Sequence, residues 1–140
     1  METVFQIANA LVLPQWALMI FAPRWHVTQW LVRSYLIPVV LACLYAYFIF
    51  SGPPLDVSDF GSLEGVKHLF SAGGDAALLA GWIHYLAFDL VAGSVVWQDA
   101  QTKGIKHIWI ILPLFFCFML GPVGLLLYWL IRTWQTKKLN

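Results

Sequence analysis

The sequence contains little charge. Only 11% of its 140 residues are Asp, Glu, Lys or Arg, whereas soluble domains carry about 25%. The eight basic and seven acidic side chains leave a formal net charge of +1, so no basic surface is available to neutralise the phosphates of a nucleic acid. This composition argues against an ordinary soluble domain and against a nucleic-acid partner.

Cysteine is also scarce, and the familiar catalytic and metal-binding motifs are missing. Cys43 and Cys117 both fall in apolar runs, where we expect small packing residues rather than metal ligands. The sequence has no HxxxH or ExxH pairing, no glycine-rich phosphate loop, no GxSxG motif and no Ser-His-Asp set. We therefore expect no metal site.

Apolar residues, in contrast, make up 61% of the chain and are gathered into long runs. The mean hydropathy is +0.75. The runs expected to span a membrane are residues 4–22, 34–50, 76–97 and 108–131, because a spanning helix needs about 20 apolar residues. We predict an all-α integral membrane protein, a four-helix bundle that forms one domain over residues 1–140. Since no Lys or Arg precedes Arg24, the first run lacks the basic start of a signal peptide and is expected to be retained.

A polar, acidic stretch separates the second run from the third. Within it, Phe60, Leu63, Val66 and Phe70 recur at roughly helical spacing. This pattern predicts a short amphipathic helix on the membrane surface, and a loop packed over the mouth of the bundle explains it equally well.

Residues 121–124, Gly-Pro-Val-Gly, interrupt the middle of the fourth run. Pro122 cannot donate a backbone hydrogen bond, and the glycines allow close helix packing. The motif predicts a kink with tight packing or, alternatively, an unwound turn that lines a cavity.

The orientation of four spans cannot be read from the basic residues. Four crossings would put both ends of the bundle on one side, together with the loop that holds Lys67. That side would hold Lys67, Arg132, Lys137 and Lys138, and the other Arg24, Arg33, Lys103 and Lys106. The count of Lys and Arg is tied, so the positive-inside rule does not decide.

Asp89 is the most informative residue, because it lies deep in the third run. It is roughly 20 Å from the start of the run and about 12 Å from its end. An aspartate at that depth costs about 2.5–3.5 kcal/mol on insertion scales. We expect it to face protein, cavity water or a ligand, with Tyr85 and Trp82 on the same helix face.

Asp89 and His84 are candidates for acid–base chemistry. A buried carboxyl favours its neutral form and can act as an acid, and an imidazole can act as the complementary base. The two residues are five apart, about 140° around a helix, so they cannot touch but can flank one cavity. In the structural alternative, each side chain hydrogen-bonds to a neighbouring helix for assembly.

Two longer stretches resemble a known family. Residues 81–90 (GWIHYLAFDL) and 121–128 (GPVGLLLY) resemble the abscisic acid-deficient 4-like family. Residues 14–25 are similar to the first span of that family, and residues 63–70 to its amphipathic loop. The resemblance extends over most of the chain.

This resemblance implies a four-span membrane protein that binds a xanthophyll or acts on it. Plant members are plastid membrane proteins required for neoxanthin formation and are regarded as neoxanthin synthase. That reaction opens an epoxide and removes a proton to leave an allene, so it is an isomerisation and needs no redox cofactor. Our own hypothesis takes Asp89 as the acid and His84 as the base, with Tyr85 beside them. The residues expected to bind the substrate are Trp82, Phe88, Trp16, Gly121, Pro122 and Tyr128.

The chain also departs from the family pattern. Val95 and Gln98 stand where an aromatic and a basic residue are often found, and no plastid transit segment is recognisable. We therefore expect a bacterial member in the inner membrane. Its expected partners are membrane lipid, an apolar carotenoid-like molecule and a second copy of the chain. The alternatives are a non-catalytic module that binds a carotenoid or assists a partner enzyme, and a small transporter, which would need a continuous polar path.

Overall fold

The computed structural model describes residues 1–52, 54 and 56–138, and the regular elements in that part of the chain are all helices. The α-helices are α1 (Glu2–Phe21), α2 (His26–Ser34), α3 (Leu36–Ser51), α4 (Leu63–Ala72), α5 (Gly74–Thr102), α6 (Ile108–Leu120) and α7 (Pro122–Lys138). A 3-10 helix, Val57–Gly61, precedes α4. The predicted all-α fold, with a short helix between the second and third spans, is confirmed.

Three helical stretches are long and apolar enough to cross a membrane. They are Glu2–Phe21, His26–Ser51 and Gly74–Thr102, and together they make the chain a membrane protein. The second stretch bends at Tyr35, whose left-handed backbone (φ 51°) separates α2 from α3.

The expected fourth span is a helical hairpin rather than one helix. Gly121 (φ 15°, ψ −77°) turns the chain between α6 and Pro122, the first residue of α7. The rings of Trp109, near the start of α6, and Trp134, near the end of α7, are 5.4 Å apart. A continuous helix over residues 108–131 and beyond would hold those rings roughly 38 Å apart. The expected fourth span, with a kink or an unwound turn at residues 121–124, is therefore replaced by a chain reversal, and α7 runs back alongside α6.

Gly124 allows the two arms of this hairpin to approach each other closely. A Cβ atom at this position would overlap with the backbone nitrogen of Cys117 and would press on the carbonyl oxygen of Pro113. Small residues at helix contacts serve this purpose in membrane proteins. Of the two readings of residues 121–124, the tight packing is therefore present, together with a full reversal of the chain.

Helix α5 lies at the centre and packs against the other six α-helices. Polar contacts position its neighbours. Gln15 of α1 donates to the Ser94 hydroxyl at 3.0 Å. From α7, the Tyr128 hydroxyl and Arg132 Nε both donate to Asp99 Oδ2 at 2.6 Å. These contacts fasten α1 and the outer part of the hairpin to α5.

Gly124→Ala tests the close approach of α6 and α7. The added methyl group has no space, and overpacking of this kind costs about 1–3 kcal/mol. We expect a lower melting temperature in detergent than for the wild type. The matched control is Gly61→Ala, because no atom lies within 4 Å of its added Cβ. Equal melting temperatures for the two variants would contradict the close approach.

Candidate functional site

Asp89 lies near the middle of α5 with 7% of its surface exposed. Its carboxyl group lies against the hairpin turn, since a Cβ added to Gly121 would overlap with Asp89 Oδ1. Asp89 Oδ2 is buried and has no hydrogen-bond partner within the described residues. An unsatisfied buried acceptor costs about 1–3 kcal/mol, so this oxygen is the strongest candidate for contact with a ligand.

Tyr85 lies one helical turn before Asp89 and links it to the hairpin. Its hydroxyl donates to the carbonyl oxygen of Met119, in the last turn of α6, at 2.9 Å. The same hydroxyl is a neighbour of the Asp89 carboxyl. A hydroxyl group has one hydrogen, so Tyr85 can donate to the Met119 carbonyl or to the Asp89 carboxylate, but not to both at once. While Tyr85 donates to Met119, its oxygen can accept a hydrogen bond from a protonated Asp89.

The half of α5 that precedes Tyr85 extends beyond the tip of the hairpin. There the Trp82 indole donates to the side-chain oxygen of Asn9 on α1 at 3.1 Å. The Trp82 ring also lies 5.7 Å from the ring of Phe5 and 5.4 Å from that of Tyr85. These contacts connect the surface of α1 to the buried carboxyl group, and we call Phe5, Asn9, Trp82, Tyr85 and Asp89 together the hairpin-tip recess. The open concavity at its outer end, of about 450 Å³, is lined by Phe5, Leu78 and Trp82 among others, and Asp89 lies beneath it and outside that lining. The recess combines aromatic surface with a buried carboxyl group.

The other residues expected to bind the substrate are separated by the fold. Gly121 and Pro122 form the turn beside Asp89. Trp16 is 4% exposed and belongs to the core. Tyr128 is bonded at the α5–α7 contact, roughly 10 Å along α7 from the turn. Only the first two therefore adjoin the recess.

His84 and Phe88 lie on a different face of α5 from Asp89. Their rings stack with centroids 4.5 Å apart, and the His84 ring lies 5.4 Å from that of Tyr45 on α3. Asp89 instead contacts the hairpin turn. The fold does not bring His84 and Asp89 together in one cavity, because the helix itself turns their side chains apart.

His84 lines a second concavity, which we call the α4 groove. It has a volume of about 350 Å³ and lies between α3, α4 and α5. Its lining is almost entirely apolar and includes Tyr45, Ile49, Phe60, Leu69, Phe70 and Gly81. Helix α4 supplies one wall of this groove. The predicted amphipathic helix therefore forms part of an apolar surface that can bind a ligand.

Phe5 and Asn9 of the recess, and Met119 beside it, escaped the sequence-based prediction. Asn9 is a polar side chain in the first apolar run, and such a residue indicates a partner on another helix. Met119 contributes its backbone carbonyl oxygen. Every residue has such a group, so the amino-acid sequence cannot indicate this contact. In the described residues, no group of His, Cys, Asp and Glu could hold a metal ion.

The chain is similar to known proteins over nearly its whole length. The model of a family described as ABA DEFICIENT 4-like matches residues 3–128. The curated protein named Protein ABA DEFICIENT 4, chloroplastic, from Arabidopsis thaliana is 29% identical over 141 residues. That match covers 94% of this chain and 61% of the relative, so the chain spans less than two thirds of the relative's length. No solved structure matches.

Helix α4 and the 3-10 helix before it are joined by a pair whose strength depends on pH. His68 Nδ1 lies 2.9 Å from Asp59 Oδ2, and this hydrogen bond and charge raise the pKa of His68. A raised pKa in the folded state stabilises the fold below the ordinary histidine pKa of about 6.5. That contribution is lost as the pH rises through the raised pKa of His68.

Asp59→Asn should bring the pKa of His68 back towards its ordinary value. The measurement is a histidine NMR titration in micelles, with His68→Gln to assign the resonance. Asp56→Asn is the matched control, because its carboxylate hydrogen-bonds to Ser58 and affects His68 only weakly. A pKa of His68 that is unchanged in Asp59→Asn would show that the pair does not form in solution.

Proposed function

Since the chain belongs to the ABA DEFICIENT 4-like family, we propose that it isomerises a xanthophyll epoxide inside the membrane, at the hairpin-tip recess. The substrate class comes from the resemblance described above. The observation that carries the proposal is the buried Asp89 oxygen without a partner. Such an atom is costly for the fold and is suited to meet a substrate group that the chain itself does not supply.

The first step is transfer of a proton from Asp89 to the epoxide oxygen. The Tyr85 hydroxyl donates its one hydrogen to Met119 and can accept from a protonated Asp89, which keeps the acid in place. No ion pair to Asp89 occurs among the described side chains, so no neighbouring cation favours the charged form. When one of the two carbon–oxygen bonds of the epoxide breaks, the oxygen stays on the other carbon as a hydroxyl group.

The second step is removal of a hydrogen from the adjacent chain carbon. Its electron pair forms the new double bond of the allene, and the Asp89 carboxylate regains its proton. One carboxyl group can perform both steps because the epoxide oxygen and the departing hydrogen are on neighbouring carbons. Atoms and electrons balance within the substrate, so the reaction needs no redox cofactor. His84, which faces the α4 groove, is not part of this proposal.

The recess suits an apolar, conjugated ligand. Phe5, Trp82 and Tyr85 offer ring surfaces to a polyene, while Asn9 holds the Trp82 indole in place. Pockets of this kind, mostly apolar with a few convergent polar groups, are typical of small-molecule sites. The membrane supplies both the lipid surroundings and the route for such a ligand. Location in a bacterial inner membrane and assembly as a homodimer stay predictions.

A second candidate function is binding without turnover, and the α4 groove favours it. The groove is apolar, and no hydrogen-bond partner of the His84 imidazole is found among the described residues. A hydroxylated terpenoid could occupy the groove with its hydroxyl group on His84. This candidate places the ligand on a different face of α5, so the two functions predict different sensitive residues.

Asp89→Asn should abolish isomerisation while the protein remains folded. Loss of a positioned acid and base lowers rates by about 10²–10⁴-fold. The measurement is pigment analysis of a host that accumulates epoxy-xanthophylls, with each variant produced at equal level in the membrane. His84→Gln is the control from the other face of α5 and should keep the product. Full conversion by Asp89→Asn would end the proposal.

Gly81→Leu tests the binding candidate. A Cβ at Gly81 already lies 2.8 Å from the Phe70 ring, so a leucine side chain fills part of the α4 groove. If the groove holds the ligand, pigment co-purified with the protein is lost in Gly81→Leu and retained in Asp89→Asn. Val95→Leu, at an exposed position of α5, is the matched control. Unchanged pigment in Gly81→Leu would rule out the groove as the binding site.

A further inference from the structure

We propose that the α6–α7 hairpin enters and leaves the membrane on one side, that this side is cytoplasmic, and that the hairpin-tip recess opens to the opposite leaflet. The part that concerns the recess as a ligand site rests on the proposed function. The part that concerns topology stands on the helix contacts and the charges alone.

Successive parts of the hairpin, from its tip to its outer end, contact successive parts of α5, from its middle towards its end. Its tip meets α5 at Tyr85 and Asp89, and its outer end is bonded to Asp99, near the end of α5. At 13 residues, α6 is about 20 Å long, short of the roughly 30 Å of a bilayer core. Apolar segments of that length are typical of re-entrant structures, and backbone at that depth is tolerated when protein buries it.

The directions of the other helices define the two sides. Asn9 pairs with Trp82 and Gln15 with Ser94, so α1 and α5 run in the same direction. His107, before α6, bonds to the carbonyl oxygen of Ile20 near the end of α1. The first side therefore holds the start of α1, the end of α3, α4 and the start of α5. The second side holds α2, residues 103–107 and the end of α7.

This assignment breaks the tie between the basic residues. The end of α7, which a fourth crossing would carry to the first side, stays on the second. Among side chains that the structure describes, the second side holds Arg24, Arg33, Lys103, Lys106, Arg132 and Lys137. The first side holds Lys67. The positive-inside rule then makes the second side cytoplasmic. The exposed indoles of Trp25, just before α2, and Trp30, on α2, suit its interface.

The same geometry determines how a ligand reaches Asp89. The hairpin occupies the cytoplasmic half of the bundle and ends at Tyr85 and Asp89. In the opposite half, Phe5, Leu78 and Trp82 are 38%, 59% and 40% exposed. An apolar molecule dissolved in the non-cytoplasmic leaflet can therefore reach the outer end of the recess laterally, at Phe5 and Trp82, whereas the hairpin closes the approach from the cytoplasmic leaflet.

The topology is tested by labelling one added cysteine at a time, in sealed, right-side-out vesicles from a bacterial host. Glu2→Cys and Glu64→Cys mark the first side, and Lys103→Cys and Lys137→Cys mark the second. A membrane-impermeant maleimide should label the first pair at once and the second pair only after detergent is added. The wild-type chain, whose two cysteines lie on apolar helices, gives the background.

The cysteine at position 137 is decisive. Labelling of Lys137→Cys on the same side as Glu2→Cys would mean four crossings and would overturn the proposal. Labelling of Lys103→Cys and Lys137→Cys from outside, with Glu2→Cys protected, would reverse the orientation and overturn it as well.

Ligand access is tested by Leu78→Trp, which narrows the open half of the recess. We expect conversion to slow by about tenfold, equivalent to about 1.4 kcal/mol in the barrier. Val95→Trp adds the same side chain on the cytoplasmic half and should convert at the wild-type rate. Slowing by Val95→Trp alone would overturn the access route. If the wild type converts nothing, the proposed function fails, and the labelling result still decides the topology.

Discussion

The contact between the Gly121 turn and the Asp89 carboxyl is the interaction on which the arrangement of the helices depends. A bilayer core offers no water to the backbone groups that a chain reversal leaves unpaired. The turn is therefore stable only where another part of the protein covers it. Helix α5 provides that cover through Asp89 beside the turn and Tyr85, whose hydroxyl satisfies the Met119 carbonyl at the end of α6.

Close packing by glycine is the second condition for this arrangement. Lipid tails are as apolar as leucine side chains, so helices in a membrane gain their association from contact area and hydrogen bonds. Gly124 lets α7 approach the backbone of α6, and Gly93 makes room on α5 for the ring of Trp16. Each glycine allows an approach that a methyl group would prevent. The apolar character of the chain makes it a membrane protein, and the two glycines determine where its helices pack closely.

The sequence predicted the elements well and their connection less well. The depth of Asp89, the amphipathic pattern of α4 and the interruption at residues 121–124 all correspond to features of the structure. The reversal of the chain at Gly121 could not be predicted from the sequence. The 24 residues from 108 to 131 are long enough either for one span or for two short arms. Periodicity cannot decide between them, since a lipid-facing helix is apolar on every side. The partners of Asp89 come from that reversal, so they could not be predicted either.

The separation of His84 from Asp89 limits which side chains of α5 can act together in one site. One helix presents its side chains in several directions, so an acid and a base on the same helix share a site only at spacings of three or four residues. Tyr85 and Asp89 have that spacing, and His84 and Asp89 do not. A reaction that moves one proton between neighbouring atoms fits a single carboxyl group held by a tyrosine. The spacing on α5 therefore favours a one-acid mechanism over the acid–base pair that residue types alone indicate.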